Sequence, residues 1–269
     1  MTPRAAHREA KEVSRLPTIH INGENREVDF EYDPTLVLPP DLITMGFADT
    51  VIPNLRLGHR VLDLGTGSGI FAVRLIMRLK QPAGLVVRLV DNDPVALATA
   101  ATNARRAIHV CGFSDEQVRL EVVQSDWIAA DLAEGNRYNF VYFNPPYLPN
   151  GEEVHGEAVS SPRTTMYAGE SGLDGYAAVF PDIHLIMAHE GMFMVREPYA
   201  CYLKLAEHSR MFDPPRESHS YVISLYHKLA GQRAWPVGMH YTFAEDRRIV
   251  KAGGGFIAQY FAPQASDTP

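Results

Sequence analysis

Between Arg60 and Val195 short apolar runs alternate with longer stretches in which apolar residues recur every three or four positions. A short, continuous apolar run bounded by turn residues reads as a strand buried on both faces. A longer stretch of helical period reads as a helix packed over such strands. On this basis RVLDL (60–64), LVVRLV (85–90), 118–123, 138–143 and GMFMV (191–195) are expected strands. Residues 69–79, the alanine-rich 94–108, and 176–189 are expected helices. Strands and helices in alternation give a parallel sheet covered on both sides. The stretch 241–261, with glycines at 253, 254 and 255, supplies a closing antiparallel pair, whereas 212–238 shows no readable period. Residues 1–50 form a separate N-terminal segment with a strand near 28–32, placed to act as a substrate lid. The expected fold is therefore α/β, a Rossmann-like doubly wound, mostly parallel seven-stranded sheet over residues 51–269 with a short N-terminal extension.

Composition narrows this picture without changing it. The 269 residues are 46% hydrophobic and 21% charged, which suits a globular chain with an ample core. A formal net charge of −7 argues against a broad grip on nucleic acid, which needs clustered Lys and Arg. Cys111 and Cys201 lie far apart and fit no metal or redox spacing. His184 and His189 are five apart, so they do not share a helix face as a metal pair would, and no metal is expected. The opening MTPRAAHREAKEVSR is charged and lacks an apolar core, and no window approaches a membrane span. A cytoplasmic location is the expectation.

Four strand ends carry candidate chemistry. After the first strand comes Asp63-Leu64-Gly65-Thr66-Gly67-Ser68-Gly69. A dinucleotide fingerprint wants its third glycine three places after the second, where Ile70 stands, and the Lys-Ser/Thr ending of a triphosphate loop is missing. Alternating glycines instead let the backbone pass close to a compact ligand, with free N–H groups at the helix start beyond. Asp91 ends the second strand, placed to accept from the two hydroxyls of a ribose, whereas Asp93 before Pro94 reads as a helix N-cap. Asp126 follows the third strand, placed to accept from an adenine amino group. Its neighbour Trp127 either supplies an apolar edge beside the ring or packs in the core. After the fourth strand, Asn144-Pro145-Pro146-Tyr147 is a stiff loop, since each proline fixes its own φ and Pro145 biases Asn144 toward extension. It presents one amide and one aromatic ring at the mouth of the sheet, which suits a flat group bearing an N–H₂. Donors for a carboxylate, an acid for a ribose and an acid for an adenine together match the parts of S-adenosylmethionine.

The stretches VLDLGTGSGI (61–70), VDNDPVAL (90–97), SDW (125–127), NPPYLP (144–149) and AGESGLDGY (168–176) resemble the class I S-adenosylmethionine-dependent methyltransferases. Within that class they are most similar to the HemK-type glutamine N5-methyltransferases of release factors. The resemblance covers about residues 58–195. It implies a cofactor site of Asp63, Gly65, Thr66, Gly67, Gly69, Asp91, Asn92, Asp126, Trp127 and Asn144, with Asn144, Pro145 and Tyr147 as the catalytic set. It further implies that the Asn144 oxygen and the Pro145 carbonyl accept the two N–H protons of the acceptor while Tyr147 stacks on its plane. The outer segments differ from the family: the N-terminal part is short, Val37-Leu38-Pro39-Pro40-Asp41 stands in place of a Pro-Arg-Pro stretch, and the chain after Arg196 has another character. Because outer segments choose substrates, the expected acceptor is a small molecule or peptide of a biosynthetic pathway. A protein glutamine is the alternative, and a catalytically silent binding protein a further one.

Overall fold

Alternate residues of the same strands face two different cores, and this fixes the layers. The computed structural model describes residues 18–23, 26–152, 165–197, 220–225, 235–237 and 254–261. In chain order it holds β1 (Thr18–Asn22), β2 (Glu27–Glu31), α1 (Leu42–Val51), β3 (Arg60–Leu64), α2 (Ile70–Arg78), β4 (Leu85–Asp91), α3 (Pro94–Cys111) and β5 (Val118–Gln124). These are followed by α4 (Ala129–Glu134), β6 (Tyr138–Phe143), α5 (Asp174–Val179), β7 (Met187–Glu197), β8 (Ser220–Leu225), β9 (Trp235–Val237) and β10 (Gly254–Phe261). Val61, Phe140, Tyr142 and Met194 pack with the apolar faces of α1, α2 and α3. Leu62, Val141, Phe143, Phe193 and Val195 pack with α5 and Phe180 on the other face. A sheet covered on both sides needs strands that are apolar throughout, and β3 and β4 are buried along nearly their whole length.

The strands run β5–β4–β3–β6–β7–β10–β8–β9. The first five pair in parallel, whereas β10, β8 and β9 pair antiparallel. This is the doubly wound, mostly parallel α/β fold expected, with the three-residue β9 as an extra edge strand. From β3 the chain winds outward through β4 and β5, then returns to the other side of β3 as β6, so the strand order reverses between β3 and β6. Their ends are level, with Leu64 opposite Phe143. In open α/β sheets that reversal is where a crevice opens for ligand.

Two expectations are corrected. The helix expected over 176–189 stops at Val179, gives way to a 3₁₀ turn at Ile183–Ile186, and becomes strand at Met187. Pro181 supplies the reason, because it lacks the N–H that would donate to the Ala177 carbonyl and carry the helix past Phe180. The closing pair is also redistributed: β10 falls in the expected 241–261 stretch, but it pairs antiparallel with β7 on one side and on the other with β8, from the unreadable 212–238 region. Residues 241–253 and the terminal tail lie outside the described residues. Among the described residues no helix is long and apolar enough to cross a membrane.

The N-terminal segment enters the core. Ile21, Val28 and Phe30 of the β1–β2 hairpin are buried in the α2/α3 cluster. Asn103, buried in the middle of α3, accepts from the Glu31 N–H (3.0 Å) and donates to the carbonyls of Glu31 (2.6 Å) and Ser68 (3.0 Å). One amide thus ties the hairpin to the loop that follows β3. Replacing Asn103 with leucine, similar in size, strands three backbone groups. The expected loss is about 3 kcal/mol or more of unfolding free energy in urea, from roughly 1–3 kcal/mol per unsatisfied buried group. A loss below about 0.5 kcal/mol would show that the amide does not hold the hairpin.

Candidate active site

The loop after β3 is held from the neighbouring strand. Gly65, Gly67 and Gly69 adopt left-handed φ of 68°, 54° and 83°, which side chains disfavour. The N–H groups of Gly65 and Thr66 both donate to the Val90 carbonyl at 2.9 Å. Asp91, at the end of β4, accepts from the Gly67 N–H at 2.9 Å through one oxygen and from the Asp93 N–H at 3.0 Å through the other. Burial raises the Asp91 pKa, offset by those N–H groups and raised further by the Asp93 charge. Asp93 caps α3 by accepting from Val95 and Ala96, as its sequence position suggested.

Asp63 ends β3 with 1% of its surface exposed. Its oxygen accepts from the Thr66 hydroxyl at 2.7 Å. Burial outweighs that hydrogen bond and, with the Asp91 charge adding to it, lifts the carboxyl from its ordinary 3.8 to about 7.

Across the crevice, the Asn144 loop is pinned from beneath by the glycine-rich segment 166–176. The Tyr147 and Leu148 N–H groups donate to the Met166 carbonyl (3.1 and 2.7 Å), and Ala168 donates back to Leu148 (2.8 Å). Gly172, at φ 78°, has no room for a Cβ, which would collide with the Tyr147 carbonyl. At Gly175 a Cβ would lie 2.7 Å from Pro145. Those two glycines let the proline loop lie directly on the segment that follows. No hydrogen bond occupies the Asn144 side chain among the described residues.

A cavity of about 570 Å³ opens between these loops. Asp63, Gly65, Thr66, Gly67, Asp91, Asn92, Trp127, Asn144 and Pro145 all line it, so the structure brings together most of the residues read from the sequence. Three lie outside its lining. Gly69 starts α2, where its Cβ position faces Ala100 of α3 at 3.0 Å. Asp126 is exposed, and its carbonyl accepts from the Ala129 N–H to begin the turn into α4. Tyr147 packs against the α5-side core instead of offering its ring to the cavity. The sequence reading missed the opposite wall, made by Leu36, Val37, Leu38, Pro39, Asp41 and Thr44, and the buried hydroxyl of Tyr142 at its base. The signal available was Asp41 three residues before Thr44, a helix N-cap spacing: Asp41 accepts from the Thr44 N–H at 3.0 Å.

Among the described residues the lining carries the carboxylates of Asp41, Asp63, Asp91 and Asp93 and no Lys, Arg or His. That field suits a cationic ligand, and the Asn144 amide is available to one side of it. The donor and acceptor set fits S-adenosylmethionine, with the Gly65–Ser68 loop and Asp63 for its amino-acid part and Asp91 and Asn92 for its ribose.

Comparison with known proteins agrees with this geometry. Residues 46–161 match the family model of the methyltransferase small domain. The release factor glutamine methyltransferase of Nitratidesulfovibrio vulgaris is 29% identical over 215 residues, covering 76% of this chain and 66% of that protein. Its counterpart in Shewanella oneidensis is 32% identical over 165 residues, covering 58% of this chain and 52% of that protein. This chain thus spans between about half and two thirds of the lengths of these relatives. Among solved structures, the hMettl16 catalytic domain in complex with MAT2A 3′UTR hairpin 6 is 15% identical, with a TM-score of 0.51 over 87% of this chain and 75% of that one. The likeness is one of fold. Together these findings set the chain beside the methyltransferases, in sequence over residues 46–161 and in fold across the sheet. Within that class its curated relatives are the HemK-type release factor glutamine methyltransferases, as the sequence motifs implied.

The Asp63 carboxyl gives a pH signature. Its pKa is raised on folding, so the folded chain binds the proton more tightly, and stability from this group falls as pH rises from about 4 to above 7. Asp63→Asn removes that slope, so the unliganded variant is more stable than the parent at pH 8, on the order of a few kcal/mol, and nearly equal at pH 4. Thermal melts across that range check it; parallel slopes in both proteins would refute the assignment. A cationic ligand favours the carboxylate, so binding below pH 7 is expected to release a proton, read by calorimetry in buffers of different ionisation enthalpy.

Proposed function

We propose that this protein is an S-adenosylmethionine-dependent N-methyltransferase whose acceptor is the side-chain amide of a protein glutamine. The carrying observation is the unoccupied Asn144 amide, held by a rigid loop at the edge of a carboxylate-lined cavity, in a chain whose curated relatives are named release factor glutamine methyltransferases. Those relatives favour the glutamine alternative over the small-molecule acceptor expected from the outer segments.

When bound, S-adenosylmethionine supplies an electrophilic sulfonium methyl, so no metal is needed to activate it. The chain's own residues provide position and electrostatics. Asp91 holds the glycine loop and accepts from the ribose hydroxyls through its remaining lone pairs. An amide nitrogen is a weak nucleophile because its lone pair is delocalised. The Asn144 oxygen and the Pro145 carbonyl accept its two N–H protons and set its lone pair toward the methyl. Positive charge developing on the nitrogen strengthens both hydrogen bonds in the transition state, and the surplus N–H proton leaves to solvent after transfer. Tyr147, packed below, braces the loop.

Asn144→Ala is expected to lower turnover by roughly 10²-fold while cofactor affinity stays within about 3-fold, the pattern of a lost transition-state partner. Asp91→Ala acts on binding instead, and calorimetry with S-adenosylmethionine is expected to show most of the affinity gone. To find the acceptor, radiolabelled methyl transfer into a cell lysate is followed by a size cut-off, with Asn144→Ala as control. Label in the protein fraction, mapped to a glutamine, supports the reading. Label only in small molecules would overturn the acceptor and leave the methyl transfer intact.

A further inference from the structure

The cavity wall missed in the sequence is fastened to the acceptor loop through one residue beyond the matched motifs. Arg196, in β7, donates from Nη1 to Asp41 Oδ1 at 2.7 Å, with 14% of its side chain exposed. Asp41 Oδ2 accepts from the Thr44 hydroxyl at 2.7 Å, and that hydroxyl lies 2.9 Å from the Tyr142 hydroxyl at the cavity base. On its backbone side, the Arg196 carbonyl accepts from the Tyr176 hydroxyl at 3.0 Å. The Tyr176 ring stands edge-on to Phe143 at 6.0 Å, directly before Asn144. Burial alone lowers the pKa of Arg196, but Asp41, Tyr147 and Tyr142 together raise it, so the guanidinium stays charged.

The wall itself rests on the cofactor loop. Val37 lies 3.7 Å from where a Cβ on Gly67 would sit. The turn that delivers it is closed by Asp33, whose carbonyl accepts from Leu36 and Val37 at 3.0 Å. Asn103 anchors the chain before this turn, and Asp41 anchors it after.

We propose that Arg196 is a positioning residue of the methyl-transfer site, holding the 36–44 wall and the Asn144 loop in one register. The proposal rests on the methyltransferase reading above. Arg196 is not among the residues that line the cavity; it acts through Asp41 on the wall and through Tyr176 on the strand end that carries Asn144. A residue that served only the fold would lower the melting temperature and leave ligand affinity unchanged in the folded protein. A positioning residue moves affinity and turnover together, unlike Asn144, which moves turnover alone.

The test is calorimetric titration with S-adenosylhomocysteine of the wild type, Arg196→Met, Arg196→Lys and Asp41→Asn, each first shown to unfold cooperatively. Arg196→Met is expected to lose at least about 10-fold in affinity, as a coupled wall would. Thermolysin cleavage within 33–41 should rise in the same variant. Arg196 makes a single contact to Asp41 rather than a fork, so Arg196→Lys is expected to stay within about 3-fold of wild type. Asp41→Asn keeps an oxygen for the helix cap but loses the charge pair. It is expected to match Arg196→Met, and it carries the test if that variant does not fold. Wild-type affinity in a folded Arg196→Met, or in Asp41→Asn, would overturn the proposal. Failure of the wild type to bind would overturn the methyltransferase reading itself.

Discussion

The reversal of strand order between β3 and β6 is the constraint from which the site follows. Because Leu64 and Phe143 are paired in register, the chain leaves both strands at one level. The glycine loop must then turn one way into α2 while the proline loop turns the other. No side chain creates the crevice; it is the space two diverging connections leave between them. Several of the polar groups at the site answer the bare backbone that this divergence exposes. Asp91 answers for Gly67, the Val90 carbonyl answers for Gly65 and Thr66, and Met166 answers for Tyr147 and Leu148.

Holding loops with buried carboxylates stores an electrostatic penalty in the unliganded protein. Asp63 is the extreme case, almost wholly buried at the cavity edge and satisfied only in part by Thr66. A fold built for stability alone would place Asn or Ser there, as polar groups without charge cost less to bury. The penalty is offset when a cation arrives. The charge is therefore of use to a ligand and not to the fold, and its place at the strand end agrees with a cofactor site.

Much of this was legible in the sequence, for physical reasons. The central strands are buried on both faces, so their apolar runs are unbroken, and the glycines and prolines that shape the two loops admit no substitute conformation. Asp93 could be read as a cap because it precedes Pro94. What escaped was long-range. Nothing local announces that Asn103, in the middle of a helix, bonds a strand seventy-two residues earlier, or that Arg196 meets Asp41 across 155 residues. The end of α5 was misjudged because its apolar period continues through Pro181, and the period outweighed the proline. Asp126 was assigned from strand-end position and Tyr147 from its place in the Asn144–Tyr147 motif, and neither says which way a side chain turns after the strand stops.

Four carboxylates line the cavity, and only that of Asp41 is paired with a cation, Arg196, among the described residues. Such a surface distinguishes ligands by charge more than by shape. A molecule that enters with a net positive charge is held more firmly than the same skeleton once that charge has been given up. Methyl transfer makes that change, turning a sulfonium into a neutral thioether. The acidic wall thus works like a one-way valve on the cofactor: it draws the charged form in and relaxes its hold on the spent one.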